Sequence, residues 1–208
     1  MRDQSLKRRS ALGFAAGLMA IAIGGEVALA ADKINVGALR FTSHSASFVA
    51  FERGYFKNNN LDVTFKFFQA AQPMAVAIAS GDVDVGVTAI SGGLINLAKK
   101  GAIKVVGGAL HEEKGVDGQM ILVSKKAYDA GVTSPDKLRG RTYGITQAGS
   151  SFHYMAHKIA QKEGFPGSEI KVKPLQKVGA IIGALKSGQI DAWSIVPHIA
   201  KALSKGPA

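Results

Sequence analysis

A chain of 208 residues with 26 lysines and arginines against 15 aspartates and glutamates carries a formal net charge of +11, and 47% of it is hydrophobic. It contains no cysteine, which excludes disulfides, thiolate metal centres, catalytic thiols and a lipid-modified cysteine. The basic residues occur as singles and pairs such as Lys99-Lys100 and Lys125-Lys126, without the arginine-rich stripe and interleaved aromatics of a nucleic-acid interface, so the charge reads either as a solvated basic surface or as a field that draws small anions.

The first 30 residues read as an export signal. Arg2, Lys7, Arg8 and Arg9 form a cationic start, residues 11–23 an apolar stretch, and Ala28-Leu29-Ala30 a cleavage site before Ala31. The apolar stretch falls short of the ~20 residues that a membrane span needs. Arg8-Arg9-Ser10 ahead of it hints at twin-arginine export, and the general secretory route fits equally well. The mature product is therefore expected to be exported and free in solution.

Beyond the signal, the pattern predicts strands over 34–38, 63–67, 83–87 and 104–108, with helices over 45–57, 73–80 and 91–100. Gly81 closes the second of these helices. A polar, glycine-bearing segment over 111–118 marks the crossing between two lobes, giving a signal at 1–30, a first lobe at 31–114 and a second at 115–208. The second lobe reads as a strand over 120–124, a helical turn over 134–138, strands over 142–145, 170–173 and 190–194, helices over 151–163 and 178–186, and a last helix from about Pro197. Alternation of this kind predicts an α/β fold, with mostly parallel sheets flanked by helices.

The architecture is written twice. Val63-Thr-Phe-Lys-Phe-Phe-Gln69 and Ala77-Ile-Ala-Ser-Gly-Asp-Val-Asp84-Val85 align without a gap on Ile170-Lys-Val-Lys-Pro-Leu-Gln176 and Ala184-Leu-Lys-Ser-Gly-Gln-Ile-Asp191-Ala192, 107 positions later, and Gly37 and Gly144 keep the same offset. Two copies of one strand-helix-strand unit predict two similar lobes that face each other across a cleft. Gly37 should match Gly144, Gln69 should match Gln176, and Asp84 should match Asp191.

In parallel α/β units ligands gather beyond the carboxyl ends of the strands, where the N–H groups of the following helices are unpaired. That rule selects the loops 40–45, 68–72, 88–93 and 146–152. Ser45, Ser91 and Ser151 suit an oxyanion there, and each also suits a plain helix cap. Ala89-Ile-Ser91-Gly-Gly93 mimics a nucleophile elbow with Asp191 and His198 following in hydrolase order. Asp191 is already explained as the twin of Asp84, however, and no glycine run precedes Ser91 to make an oxyanion hole. His153 and His157 share a helix face, but Tyr154 stands where a metalloprotease needs glutamate.

Leu138-Arg-Gly-Arg-Thr-Tyr-Gly-Ile-Thr-Gln-Ala-Gly149-Ser150, together with the paired helix-Ser-Gly-x-x-Asp units, resembles the substrate-binding proteins of ABC importers in the nitrate, sulfonate and taurine group, relatives of the thiamine-pyrimidine binders. The resemblance covers nearly all of residues 33–203 and implies a type II periplasmic binding protein. It implies a periplasmic protein that binds a small solute without cofactor or metal, meets an ABC permease in the inner membrane, and is monomeric when full length. It also implies a solute held by Phe41, Thr42, Ser43 and His44, by Gln69, by Thr88 and Ser91, by Gly149, Ser150 and Ser151, and near Trp193. Arg40 is the guanidinium nearest that cleft and suits an anionic head group. A sensory binding module would use the same clamp. The pyrimidine-synthesising enzymes of similar fold depend on a cysteine-rich motif, which this chain lacks. Proteins of this group return from the second lobe to the first and add a strand between strands three and four of the first sheet. The resemblance therefore implies a chain without that return crossover, since the sequence stops soon after the helix near Pro197.

Overall fold

The first sheet is built on β1 (Asp32–Ala38), whose exposed start gives way to a buried Val36-Gly37-Ala38 end. β1 pairs in parallel with β2 (Leu61–Phe67) along its length and with β3 (Val85–Gly86) at its buried end, in the order β2-β1-β3. This computed structural model describes residues 30–205 apart from His111 and Asp117, so the expected export signal lies outside the described residues. Helices α1 (Ser45–Glu52) and α2 (Tyr55–Asn58) connect β1 to β2, α3 (Ala71–Ser80) connects β2 to β3, and α4 (Gly92–Lys99) follows. The single helix expected over 45–57 is split because Gly54 takes a φ of 71°, a left-handed conformation that interrupts the helical hydrogen-bond ladder.

The strand expected over 104–108 does not form. Val105 and Val106 are 64% and 90% exposed there, because β-branched residues make a strand only where a neighbour supplies ladder partners. The strand expected over 83–87 likewise shrinks to the two residues that pair with β1.

The second sheet contains β4 (Met120–Val123), β5 (Thr142–Ile145), β6 (Lys171–Pro174) and β7 (Ala192–Ile195) in the order β4-β7-β5-β6, with β4 antiparallel to β7 and the other pairs parallel. α5 (Lys125–Asp129), capped by Ser124, is an element that the sequence reading lacked; five residues are too few to show a helical period. α6 (Ser151–Lys162), α7 (Val178–Lys186) and α8 (Pro197–Ser204) complete the chain as described. Among the described residues no helix is long and apolar enough to cross a membrane.

The repeat survives in three dimensions down to individual hydrogen bonds. Val36 pairs with Phe65 and Val85, and Tyr143, its counterpart, pairs with Val172 and Ala192. Asp84 accepts from the Asn35 N–H at 2.8 Å, and Asp191 accepts from the Thr142 N–H at 2.7 Å. A Cβ on Gly37 would stand 2.9 Å from Met74, and one on Gly144 would stand 2.8 Å from Ile181, the residue equivalent to Met74. Glycine at both positions lets the helix of each unit lie directly on its strand. Gln69 and Gln176 occupy matching loop positions, but only Gln176 has a positive φ, of 65°.

The two cores differ in size. The second is continuous, from Tyr143, Ile145 and Trp193 through Ile181, Ile190 and Ile195 to Phe152 and Ala200. A separate cluster in the first half is limited to Ala75, Leu94 and Ile103 with partly buried neighbours. β4 accounts for part of the difference: β7 is buried throughout under it, whereas Val85, the counterpart of Ala192, is 46% exposed.

Candidate functional site

The loops beyond β1, β3 and β5, and α8 beyond β7, bring the two halves of the chain together, with two hydrogen bonds among the contacts. In the first, the Gly93 N–H, in the opening turn of α4, donates to the Gly149 carbonyl at 3.2 Å. In the second, the Thr42 hydroxyl and His198 Nδ1 are hydrogen-bonded at 2.9 Å.

The first contact is shaped by two glycines and a glutamine. A Cβ on Gly93 would collide with the Gln72 side chain, so Gln72 fills the space that this glycine leaves open, while Gly149 is required by its φ of +77°. The Gly149 N–H donates to His153 Nδ1 at 3.1 Å, which ties the loop to α6. Among the described residues, Gln72 Oε1, Thr88 Oγ1 and Trp193 Nε1 are buried without a hydrogen-bond partner. An unpaired buried polar group costs about 1–3 kcal/mol, so these atoms mark places where a partner is wanted. Gln72 and Thr88 belong to two of the loops that the strand-end rule selects. Gln72 itself was missed as a candidate, although it stands inside the loop 68–72.

The second contact lies on a groove of about 420 Å³ lined by Arg40, Phe41, Thr42, Ser45, Phe48, Phe67 and His198. The Arg40 guanidinium sits 3.8 Å from the centre of the Phe67 ring, a cation–π distance that leaves the exposed cation at the rim. Phe48 packs edge-on against Phe65, making the wall aromatic. His198, considered in sequence only as part of a hydrolase, belongs to this groove.

Several expected site residues are committed to the fold. His44 is 4% exposed and its Nδ1 accepts from the Leu39 N–H at 3.3 Å, and burial lowers its pKa. Ser91 is fully buried and caps α4 through the Leu94 N–H. Ser150, rather than Ser151, caps α6 through the His153 N–H, and Ser151 is the buried first residue of that helix. Ser45 opens α1 without serving as its cap. Trp193 is 0% exposed in the second core, edge-on to Phe152. Its strand is covered by β4 on one side and flanked by β5 on the other. Gln69 is exposed and Ser43 is half-buried in the turn Thr42–His44.

The hydrolase arrangement is not assembled. Ser91 Oγ is spent on its helix cap, Asp191 on the backbone and hydroxyl of Thr142, and His198 Nδ1 on Thr42.

The NMT1/THI5-like family model matches residues 41–201. The chain belongs to the NMT1/THI5-like family. Solved structures of the same fold include the alkanesulfonate-binding protein SsuA from Xanthomonas axonopodis pv. citri bound to MOPS, at 20% identity and a TM-score of 0.60, covering 83% of this chain and 57% of that one. The periplasmic aliphatic sulphonate binding protein SsuA from Escherichia coli is 21% identical with a TM-score of 0.58, over 84% of this chain and 55% of that one. The periplasmic nitrate-binding protein NrtA from Synechocystis PCC 6803 is 14% identical with a TM-score of 0.55, over 79% of this chain and 46% of that one. This NMT1/THI5-like chain thus has the fold of type II periplasmic binding proteins and spans about half the length of these structures. None of the curated proteins compared with it matches.

Proposed function

We propose that this chain is the periplasmic solute-binding component of an ABC importer, capturing a small anionic solute between its two lobes and passing it to a permease in the inner membrane. The observation that carries this reading is the junction of Gly93, Gly149 and Gln72, where the lobes touch through a helix-start N–H and leave the buried Gln72 Oε1 unpaired beside it. A solute oxyanion competes for such an N–H, which points out of a helix start with the favourable end of its dipole. The Gln72 amide donates to an oxyanion through Nε2, while its unpaired Oε1 accepts from a donor elsewhere on the solute, such as an amine, and Thr88 Oγ1 donates or accepts. A solute that satisfies these groups therefore shifts the two lobes toward the closed arrangement. The excess of basic residues, which persists without residues 1–30, and the exposed Arg40 favour anions on approach. The alkanesulfonate-binding and nitrate-binding proteins of the same fold support the same class.

Thermal-shift screening of the full chain against nitrate, alkylsulfonates, taurine, carboxylates and pyrimidines tests the proposal. Stabilisation by one of the anions is expected, weakened in Gln72→Ala. Stabilisation by neutral aromatic solutes alone would overturn the anion class and leave the clamp standing.

A further inference from the structure

A second groove, of about 340 Å³, lies on the second lobe between α6 and the turn Gly167–Glu169 that leads into β6. His153, His157, Ser168 and Lys171 line it together with apolar Ala156 and Ile170. It meets the Gly93–Gln72 junction only through His153, whose Nδ1 accepts the Gly149 N–H; Gly93, Gly149 and Gln72 themselves take no part in its lining.

The polar lining consists of donors. His153 and His157 stand one turn apart on one face of α6. Because His153 Nδ1 accepts the Gly149 N–H, its proton is on Nε2, which remains a donor. The ring of His157 lies where a Cβ on Gly167 would be, so the glycine makes the room that holds this imidazole. Lys171 is an exposed ammonium whose backbone is fixed by the Arg141 carbonyl at 2.8 Å, and Ser168 adds an exposed hydroxyl. The adjacent carboxylate, Glu169, is committed to an ion pair with Arg139 and does not neutralise the groove.

We propose that this groove is a binding site for a small tetrahedral oxyanion, phosphate or sulfate, separate from the solute cleft. Hydrogen bonds from an ammonium or imidazole to an oxyanion are charge-assisted and short, and the half-enclosed apolar floor of Ala156 and Ile170 reduces competition from water. A divalent metal fits poorly, because the proton on His153 Nε2 occupies the lone pair a metal would take and Lys171 repels a cation.

The test follows the histidine ring signals of the full chain by NMR while inorganic phosphate is added, with sulfate in a second arm. Saturable shifts at His153 and His157, with His198 unmoved, are expected. Lys171→Ala should weaken phosphate binding about tenfold, the scale of one lost charge-assisted hydrogen bond, and His157→Gln should weaken it as well. Both residues are exposed, so neither substitution threatens folding. Shifts that do not saturate, that appear equally at His198, or that survive both substitutions would overturn the proposal, as would saturation by zinc in place of phosphate. Phosphatidylglycerol vesicles form the last arm: binding of vesicles without binding of free phosphate would overturn a free-oxyanion site in favour of a lipid headgroup.

Discussion

The imidazole of His44, which the family resemblance places among the solute contacts, serves the backbone instead. Its Nδ1 accepts the Leu39 N–H just after β1 ends, in surroundings that leave the residue 4% exposed. Burial disfavours the charged ring and lowers its folded-state pKa below the ordinary 6.5. The unfolded chain then binds the proton more readily than the folded one. The stability contributed by neutral His44 is therefore present above about pH 6.5 and is lost as the pH falls through the lowered folded value. Melting temperatures measured from pH 7.5 down to about pH 5 should fall in the wild type and fall less in His44→Asn, which keeps an acceptor and does not titrate. Parallel curves for the two proteins would assign the acid sensitivity to another group.

At the scale of elements, the repeat makes a comparison between matched residues possible. Asp84 and Asp191 perform the same task, receiving the N–H of the residue 49 positions earlier, Asn35 or Thr142. Asp191 is half-buried and also takes the Thr142 hydroxyl at 2.7 Å, while Asp84 is exposed. Asp191→Ala should cost about 1–3 kcal/mol, because it strands a partly buried donor pair, and Asp84→Ala should cost clearly less, since water replaces the lost acceptor. Midpoints of urea unfolding for the two variants measure this, and equal losses would mean that burial does not set the cost. The helix break at Gly54 belongs to the same scale. The glycine was visible in the sequence, yet a single glycine inside a helical pattern is compatible with both a continuous helix and a break.

For the whole molecule, the decisive asymmetry is that β7 has β4 along its outer side and β3 has no strand there among the described residues. Val85 on that edge is 46% exposed, and Val105 and Val106, which join no strand, are 64% and 90% exposed. An apolar open edge recruits further strands, so the chain is expected to self-associate as its concentration rises. Val85→Lys, alone and with Val106→Lys, should shift the sedimenting species toward monomer. Unchanged sedimentation of both variants would exclude this edge as the contact.

The sequence by itself was enough for everything that is periodic or repeated. The strand over 142–145 and the helix over 178–186 appear with the expected bounds, since alternation and the 3.6-residue period are local properties that burial of one face enforces. The equivalence of Gly37 with Gly144 and of Asp84 with Asp191 was legible too, because both copies solve the same packing problem with the same residue. Which polar groups end up satisfied was not legible. Ser91 and Ser151 look alike as oxyanion ligands and as caps until their neighbours' N–H groups are placed, which make Ser91 a cap and leave the capping of α6 to Ser150. Gln72 emerged only when Gly93 and Gly149 met around it from separate halves of the chain. Strand formation over 104–108 failed for the same reason: β propensity is local, but a ladder needs a partner strand, and partners are assigned by the tertiary fold.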